Sequence, residues 1–178
     1  MHELSLNVLD VAQNSVSAGA KLIEISVKES TSESYMIITI KDDGCGMDET
    51  TVKNVCDPFY TTRTTRKVGL GLPFLKQTAE QTGGSFRIES QVGKGTTVSA
   101  VYKTDSIDCM PLGDICSTVA CLVTLNPSID FRFVSEKDDK CFVFTTMEVK
   151  EILGDDISLS EPDVATFIED YLKENANH

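Results

Sequence analysis

Asp42-Asp43-Gly44-Cys45-Gly46-Met47 follows directly on the apolar run Tyr35-Met36-Ile37-Ile38-Thr39-Ile40, and so stands where a buried strand runs out. An acid at a strand end, two glycines one residue apart and then a bulky apolar residue let the backbone approach a flat ligand closely. Gly44 and Gly46 make the turn, and Asp42 can accept from an exocyclic amine at the floor of a pocket. Met47 offers a soft, polarizable face to a ring. Adenine suits such a site. Asp-Asp-Gly is also ordinary turn chemistry after a strand, so the reading depends on what flanks it.

Upstream, residues 3–18 contain no Gly or Pro, and Leu4, Val8, Leu9, Val11, Ala12 and Val16 fall at helical spacing. Glu3, Asn7, Asp10 and Asn14 recur at steps of four, three and four, which lines one stripe of the same helix. Solvated stripes are usually rich in Lys and Glu. Two asparagines and two acids with no lysine before Lys21 suit an inward polar face that holds a cation and orients a water or hydroxyl, with Asp10 and Asn14 one turn apart. Gly19 ends this helix, Lys21 to Lys28 alternates as a strand, and a polar loop returns the chain to Tyr35. That order brings Asn14 and Asp42 within reach of one ligand.

Downstream, Asp48 is placed to cap a short helix reaching Val55. Asp57-Pro58-Phe59-Tyr60-Thr61-Thr62-Arg63-Thr64-Thr65-Arg66-Lys67-Val68-Gly69-Leu70-Gly71-Leu72 then packs hydroxyls and three cations into an aperiodic segment that closes on a helix start. Backbone amides at a helix N-terminus suit phosphate oxygens, and Gly69 and Gly71 permit close approach. Thr61, Thr62, Arg63, Arg66 and Lys67 thus read as a phosphate lid, with Leu70 and Leu72 opening the helix. Gly83-Gly84 ends it, Ser85 to Gln91 and Thr96 to Lys103 read as two strands, and Val92-Gly93-Lys94-Gly95 turns between them.

These blocks resemble, in order and spacing, the nucleotide-binding boxes of the GHKL ATPases: DNA gyrase, heat-shock chaperones of the ninety-kilodalton class, sensor histidine kinases and MutL. Leu9 to Ser15 is similar to the N box, Asp42 to Met47 to the first glycine box, and Asp57 to Arg63 to the F box of histidine kinases. Gly69-Leu70-Gly71-Leu72 resembles their second glycine box, and Gly93-Lys94-Gly95-Thr96-Thr97 the closing turn. The resemblance covers residues 2–103 and implies an α+β Bergerat fold, a two-layer sandwich of a mixed sheet with helices on one face, holding ATP and Mg²⁺. It assigns Asn14 to the metal, Asp42 to the adenine amine, and Thr96 to the binding site. Where gyrase-like ATPases and anti-sigma serine kinases carry a glutamate general base, this sequence has Asp10, one methylene shorter, so binding is expected and turnover depends on a reduced reach. His2-Glu3-Leu4 echoes a phosphoacceptor box, yet only eleven residues separate His2 from Asn14, on one continuous helix. We expect His2 to be solvent-exposed or nucleotide-adjacent and not a phosphoacceptor.

Composition sets the frame. The 178 residues carry a net charge of −12 that is held unevenly, with 11 Lys and Arg against 12 Asp and Glu up to Thr104, and 5 against 16 from Asp105. That shift places a boundary between an ATP-binding region, residues 1–104, and a small acidic α+β appendage, residues 105–178. It argues against a nucleic-acid footprint, which needs a basic face. No run approaches a membrane span and the start lacks secretory character, so the expected compartment is the cytoplasm. Six cysteines without a Cys-x-x-Cys pair suggest reduced thiols. The expected role is a protein kinase or regulator acting on a partner in trans, met through the acidic region. The alternative is a nucleotide-gated binding module or slow ATPase, and a homodimer is compatible with the same sequence. In the appendage, Gly113-Asp114 is expected to precede a helix to Leu125, followed by a hairpin, a helix to Leu153 and a last amphipathic helix. Val164, Phe167, Ile168, Tyr171 and Leu172 share one face of that helix.

Overall fold

A computed structural model describes residues 3–57, 70–154 and 156–176. The helix expected at the start is α1 (Leu4–Ser17), closed by Gly19 at φ +76°. β1 (Leu22–Ser30) and β2 (Tyr35–Asp42) form an antiparallel hairpin in which Ile23, Ile25 and Val27 face the core beside Met36, Ile38 and Ile40. β-branched residues at every second position fit a pleated surface buried on one side. α2 (Glu49–Val55) starts at Asp48, whose side chain accepts from the Thr51 amide at 2.7 Å. α3 (Gly71–Gln81), β3 (Ser85–Gln91) and β4 (Gly95–Lys103) follow. Beyond them lie α4 (Ile115–Leu125), β5 (Asp130–Lys137), β6 (Lys140–Thr145), α5 (Thr146–Leu153) and α6 (Pro162–Ala176).

The six strands make one mixed sheet in the order β3-β4-β2-β1-β5-β6. All neighbours are antiparallel except β1 and β5, which run parallel with Ile25 opposite Phe133. The sheet therefore does not stop near residue 104. Strand residues buried at alternate positions face the helices, while Glu24, Lys28, Thr39, Ser99 and Arg132 lie on the more open face, giving the expected two-layer α+β architecture. Phe131 and Phe133 join Ile23, Ile25, Ile38 and Ile40 in one apolar core. At one end of the sheet Asp138, in the turn between β5 and β6, accepts from the Thr31 amide and hydroxyl at 2.8 and 2.7 Å and ties two turns together.

α6 departs from its sequence pattern. Val164, Ile168 and Leu172 are buried as expected, but Phe167 is 57% exposed and Tyr171 40%. A 3.6-residue repeat seats a narrow stripe in the core, chiefly against α4, and these two rings sit on its flank.

Tyr102 on β4 is fully buried, its hydroxyl 3.1 Å from that of Thr78 on α3. Burial pushes its phenol up from 10.0 to about 12, against the opposing pull of the Thr78 hydrogen bond. The native state thus favours the neutral phenol. The stability this contributes is complete below pH 10 and is lost as pH rises toward 12, a loss on the order of 2 kcal/mol. Tyr102→Phe should flatten this alkaline limb of a urea-denaturation pH series; an unchanged limb would assign it elsewhere.

Candidate functional site

The turn after β2 is held from three sides. Asp42 is the last residue of β2, directly opposite Thr96 of β4. Its Oδ2 accepts from the Ser15 hydroxyl at 2.6 Å and its Oδ1 from the Gly44 amide at 2.9 Å. Two donors fix the plane of the carboxylate and leave lone pairs for a further donor. Asp43 does different work: its Oδ1 accepts from the Lys21 and Leu22 amides at 2.7 and 3.0 Å and pins the start of β1. Those amide bonds, that from Leu22 foremost, hold its carboxyl below the usual value. The Cys45 amide donates to the Ala18 carbonyl at 2.9 Å, and the Cys45 carbonyl accepts from Gly93 at 2.7 Å. The Met47 amide donates to the Ser90 hydroxyl at 2.8 Å, which is itself 2.8 Å from the Thr96 hydroxyl. Met47 packs partly buried against the core.

Gly46 is the tightest point of this turn. Its φ is +71°, and a Cβ there would stand 2.0 Å from the Gln91 carbonyl oxygen. Gly46→Ala combines a left-handed backbone with a backbone collision, so it should lower stability by about 2 kcal/mol or more and loosen the turn between β3 and β4. Equal urea midpoints for the variant and the parent would contradict this packing.

α1 supplies the opposite wall. Among the described residues, the amide nitrogen of Asn14 is the only buried side-chain polar atom without a hydrogen-bond partner. A buried donor left unpaired costs about 1–3 kcal/mol, so its placement calls for an acceptor that the described residues do not supply. Asp10, one turn earlier, is exposed and lies against the start of α3, where a Cβ on Gly71 would come within 2.7 Å of the Asp10 Cβ. The absence of a side chain at Gly71 is what lets the two helices touch. The cap residue of α3, Leu70, makes no side-chain cap bond, and Pro73 has no N–H. The first turn therefore offers the amides of Gly71 and Leu72 to an anion.

The structure thus sets the start of α3, with Leu70, Gly71 and Leu72, against α1 at Asp10, one turn before Asn14, and sets Asp42, Gly44, Gly46, Met47 and Thr96 at the adjoining strand ends. Thr61, Thr62, Arg63, Arg66, Lys67, Gly69 and His2 lie outside the described residues. Glu3 leaves the polar stripe. Its carboxylate accepts from the Ser5 hydroxyl at 3.3 Å and the Asp114 amide at 3.4 Å, at the far end of α1. Ser15 was missed by sequence reasoning. Only its position beside Asn14, buried on a helix of otherwise clear polarity, could have marked it as the residue that orients Asp42.

The family described as histidine kinase-, DNA gyrase B- and HSP90-like ATPase matches residues 1–106, more than half of the chain. The chain belongs to this ATPase family. Among individual relatives, a putative sensor protein of Shewanella frigidimarina is 33% identical over 103 residues, covering 57% of this chain and 15% of that protein. Sporulation kinase C of Bacillus subtilis is 30% identical over 107 residues, 59% of this chain and 25% of the kinase. The signal transduction histidine-protein kinase AtoS of Escherichia coli is 34% identical over 101 residues, 57% of this chain and 16% of AtoS. The chain thus spans a quarter or less of the length of these relatives. The N-terminal domain of a DNA repair protein, known from its crystal structure, superposes with a TM-score of 0.56 at 16% identity, over 80% of this chain and 52% of that one. Residues 1–106 alone cannot supply a share of 80%, so the likeness of fold extends past them. Among the described residues, no helix is long and apolar enough to cross a membrane.

Proposed function

We propose that this member of the ATPase family binds ATP with Mg²⁺ and transfers its γ-phosphoryl group to a protein partner in trans, in the cytoplasm. The observation that carries the reading is the unpartnered, buried Asn14 amide, one turn along α1 from Asp10, which itself lies against the first turn of α3. Its nitrogen suits a phosphate oxygen and its carbonyl oxygen suits a hard cation, which commonly takes one or two protein ligands and completes its shell with phosphates and water. Bound Mg²⁺ would neutralise charge on the phosphates. Asp42 reads the adenine amine, Met47 lies against the ring, and Gly71 and Leu72 present amides to the phosphates. The lid residues Thr61, Thr62, Arg63, Arg66 and Lys67, with Gly69, join them on the strength of the family resemblance. Asp10 accepts the proton of the partner's nucleophile as its bond to the γ-phosphorus forms and the bond to the β-phosphate oxygen breaks, releasing ADP. Kinase names among the relatives support this direction and remain analogy.

A second reading has its own observation. The first-turn amides of α1, Leu4 and Ser5, donate to the carbonyls of Pro111 and Leu112 at 3.0 and 2.8 Å, and β5 lies on β1. The helix that carries Asp10 and Asn14 is thereby joined to the acidic region from residue 105 onward, as a nucleotide-gated binding module requires. Incubation with labelled ATP and the source cell's lysate separates the two. A labelled protein band lost in Asn14→Ala supports the kinase. Slow ATP turnover with no labelled band, and partner retention that depends on nucleotide, would replace it by the module.

A further inference from the structure

The two edges of the sheet are finished differently. β3 carries Arg87 and Glu89, ion-paired to each other on its exposed face, the charge that commonly keeps an edge strand from pairing with another chain. β6 opens on the exposed Lys140 at the hairpin turn but carries no charge from Cys141 to Thr145, and Val143 is 42% exposed on the open face. Among the described residues its only sheet neighbour is β5. On the helix side of this same edge an aromatic cluster continues outward from the strand. Phe142 meets Tyr171 edge-on at 5.8 Å between centroids, and Tyr171 stacks on Phe167 at 6.0 Å with an interplanar angle of 18°.

Acids surround those exposed rings. Asp163 and Asp170 lie one turn on either side of Phe167, and Glu174 follows Tyr171, all exposed. The one basic residue of α6, Lys173, is turned the other way, its ammonium 2.9 Å from Glu169 and 3.6 Å from Asp114. A strand edge without charge from Cys141 to Thr145 thus adjoins an aromatic face bounded by carboxylates.

We propose that the β6 edge and the outer face of α6 form a docking site for an extended segment of another protein in which basic and aliphatic residues alternate. Main-chain bonds to β6 would make it a seventh strand, the mode of recognition in which an open sheet edge supplies affinity and alternate side chains supply specificity. Side chains of such a strand point to opposite faces in turn. Those directed to the helix layer pass Phe167 and Tyr171, where Lys or Arg gains both a ring face and the Asp163, Asp170 and Glu174 carboxylates. Those directed to the open face lie beside Val143. A second copy of this chain is disfavoured, because each copy brings a net charge of −12, concentrated in this half. The proposal deepens the reading that the chain acts on a protein partner, but it does not depend on nucleotide.

The test is fluorescence polarization of the full chain with a labelled eight-residue peptide of alternating Arg and Val. Controls are the same residues in two blocks, and Glu in place of Arg. The alternating basic peptide should bind best. Phe167→Ala with Tyr171→Ala should weaken it by about tenfold or more, and Val143→Lys and Asp170→Lys should each weaken it clearly. All four substitutions are at exposed positions, and far-UV circular dichroism checks that the fold persists. The proposal is overturned by no binding up to about 1 mM peptide, by equal binding of the block peptide, or by undiminished binding in the aromatic double variant. Sedimentation showing a dimer that Val143→Lys dissociates would assign the edge to a second copy instead. Calorimetric titration of the same variants with ATP keeps the two readings apart. Peptide binding without ATP heat would sink only the nucleotide reading, and ATP heat without peptide binding would sink only the docking site.

Discussion

Asp42→Ala should weaken ATP binding by about 10²-fold while the protein stays folded. The carboxylate is oriented by Ser15 at 2.6 Å and Gly44 at 2.9 Å, so it enters the complex with little freedom left to lose. A hydrogen bond to a charged group contributes about 1.5–3 kcal/mol, and removing the acceptor also leaves the adenine amine and the Ser15 hydroxyl short of a partner. Asp42→Asn should also lose affinity, because the amide carries no charge and keeps one acceptor oxygen in place of two. The neighbouring acid is the control. Asp43 is committed to the Lys21 and Leu22 amides, so Asp43→Asn should leave affinity within a few-fold and lower stability. Its depressed pKa sets the sign. The stabilisation is present above the ordinary value of 3.8 and fades as pH falls below it through the native pKa, so the Asp43 variant should differ from the parent less in acid than at neutral pH. If Asp43→Asn lost ATP and Asp42→Ala did not, the two roles would have to be exchanged.

Asp10→Asn should separate binding from chemistry. Asp10 is exposed beside the first turn of α3, so its carboxylate can reach a nucleophile near the phosphates without being buried itself. A proton acceptor is needed in the transition state more than in the bound state, so under the proposed role the amide should leave ATP affinity within a few-fold. Turnover or transfer should fall by roughly 10²-fold or more. A parallel fall of affinity and rate would make Asp10 a partner of the bound metal ion instead. Full activity in Asp10→Asn would remove it from the chemistry. Glu3, the other acid on the sequence stripe, is a poor substitute, since it bonds Ser5 and Asp114 at the far end of α1.

Local patterns were legible in the sequence because each rests on short-range physics. The alternation of Ile23, Ile25 and Val27, the Asp48 cap, and the glycine at the end of α1 all state their structure within a few residues. Helix and strand positions beyond residue 105 were readable for the same reason. The parallel pairing of β5 with β1 was not, because nothing in either strand names its neighbour across about a hundred residues of chain. Long-range register is set by which apolar faces are left to cover once the local elements exist. The exposure of Phe167 and Tyr171 was hidden because periodicity gives a direction around a helix and not the width of the surface it meets. Within the site, Asp42 was distinguishable from Asp43 only through its place at the strand end. The bonds that separate the two, from Ser15 on one side and from Lys21 and Leu22 on the other, are tertiary.

Isothermal titration of the full chain with ATP and Mg²⁺, run beside Asp42→Ala and Asn14→Ala, tests the central claim most directly. The site described here predicts saturable one-to-one heat for the parent, little heat for either variant, and weaker binding to the parent when Mg²⁺ is chelated. No heat from the parent at millimolar nucleotide, or the same isotherm for all three proteins, would contradict it.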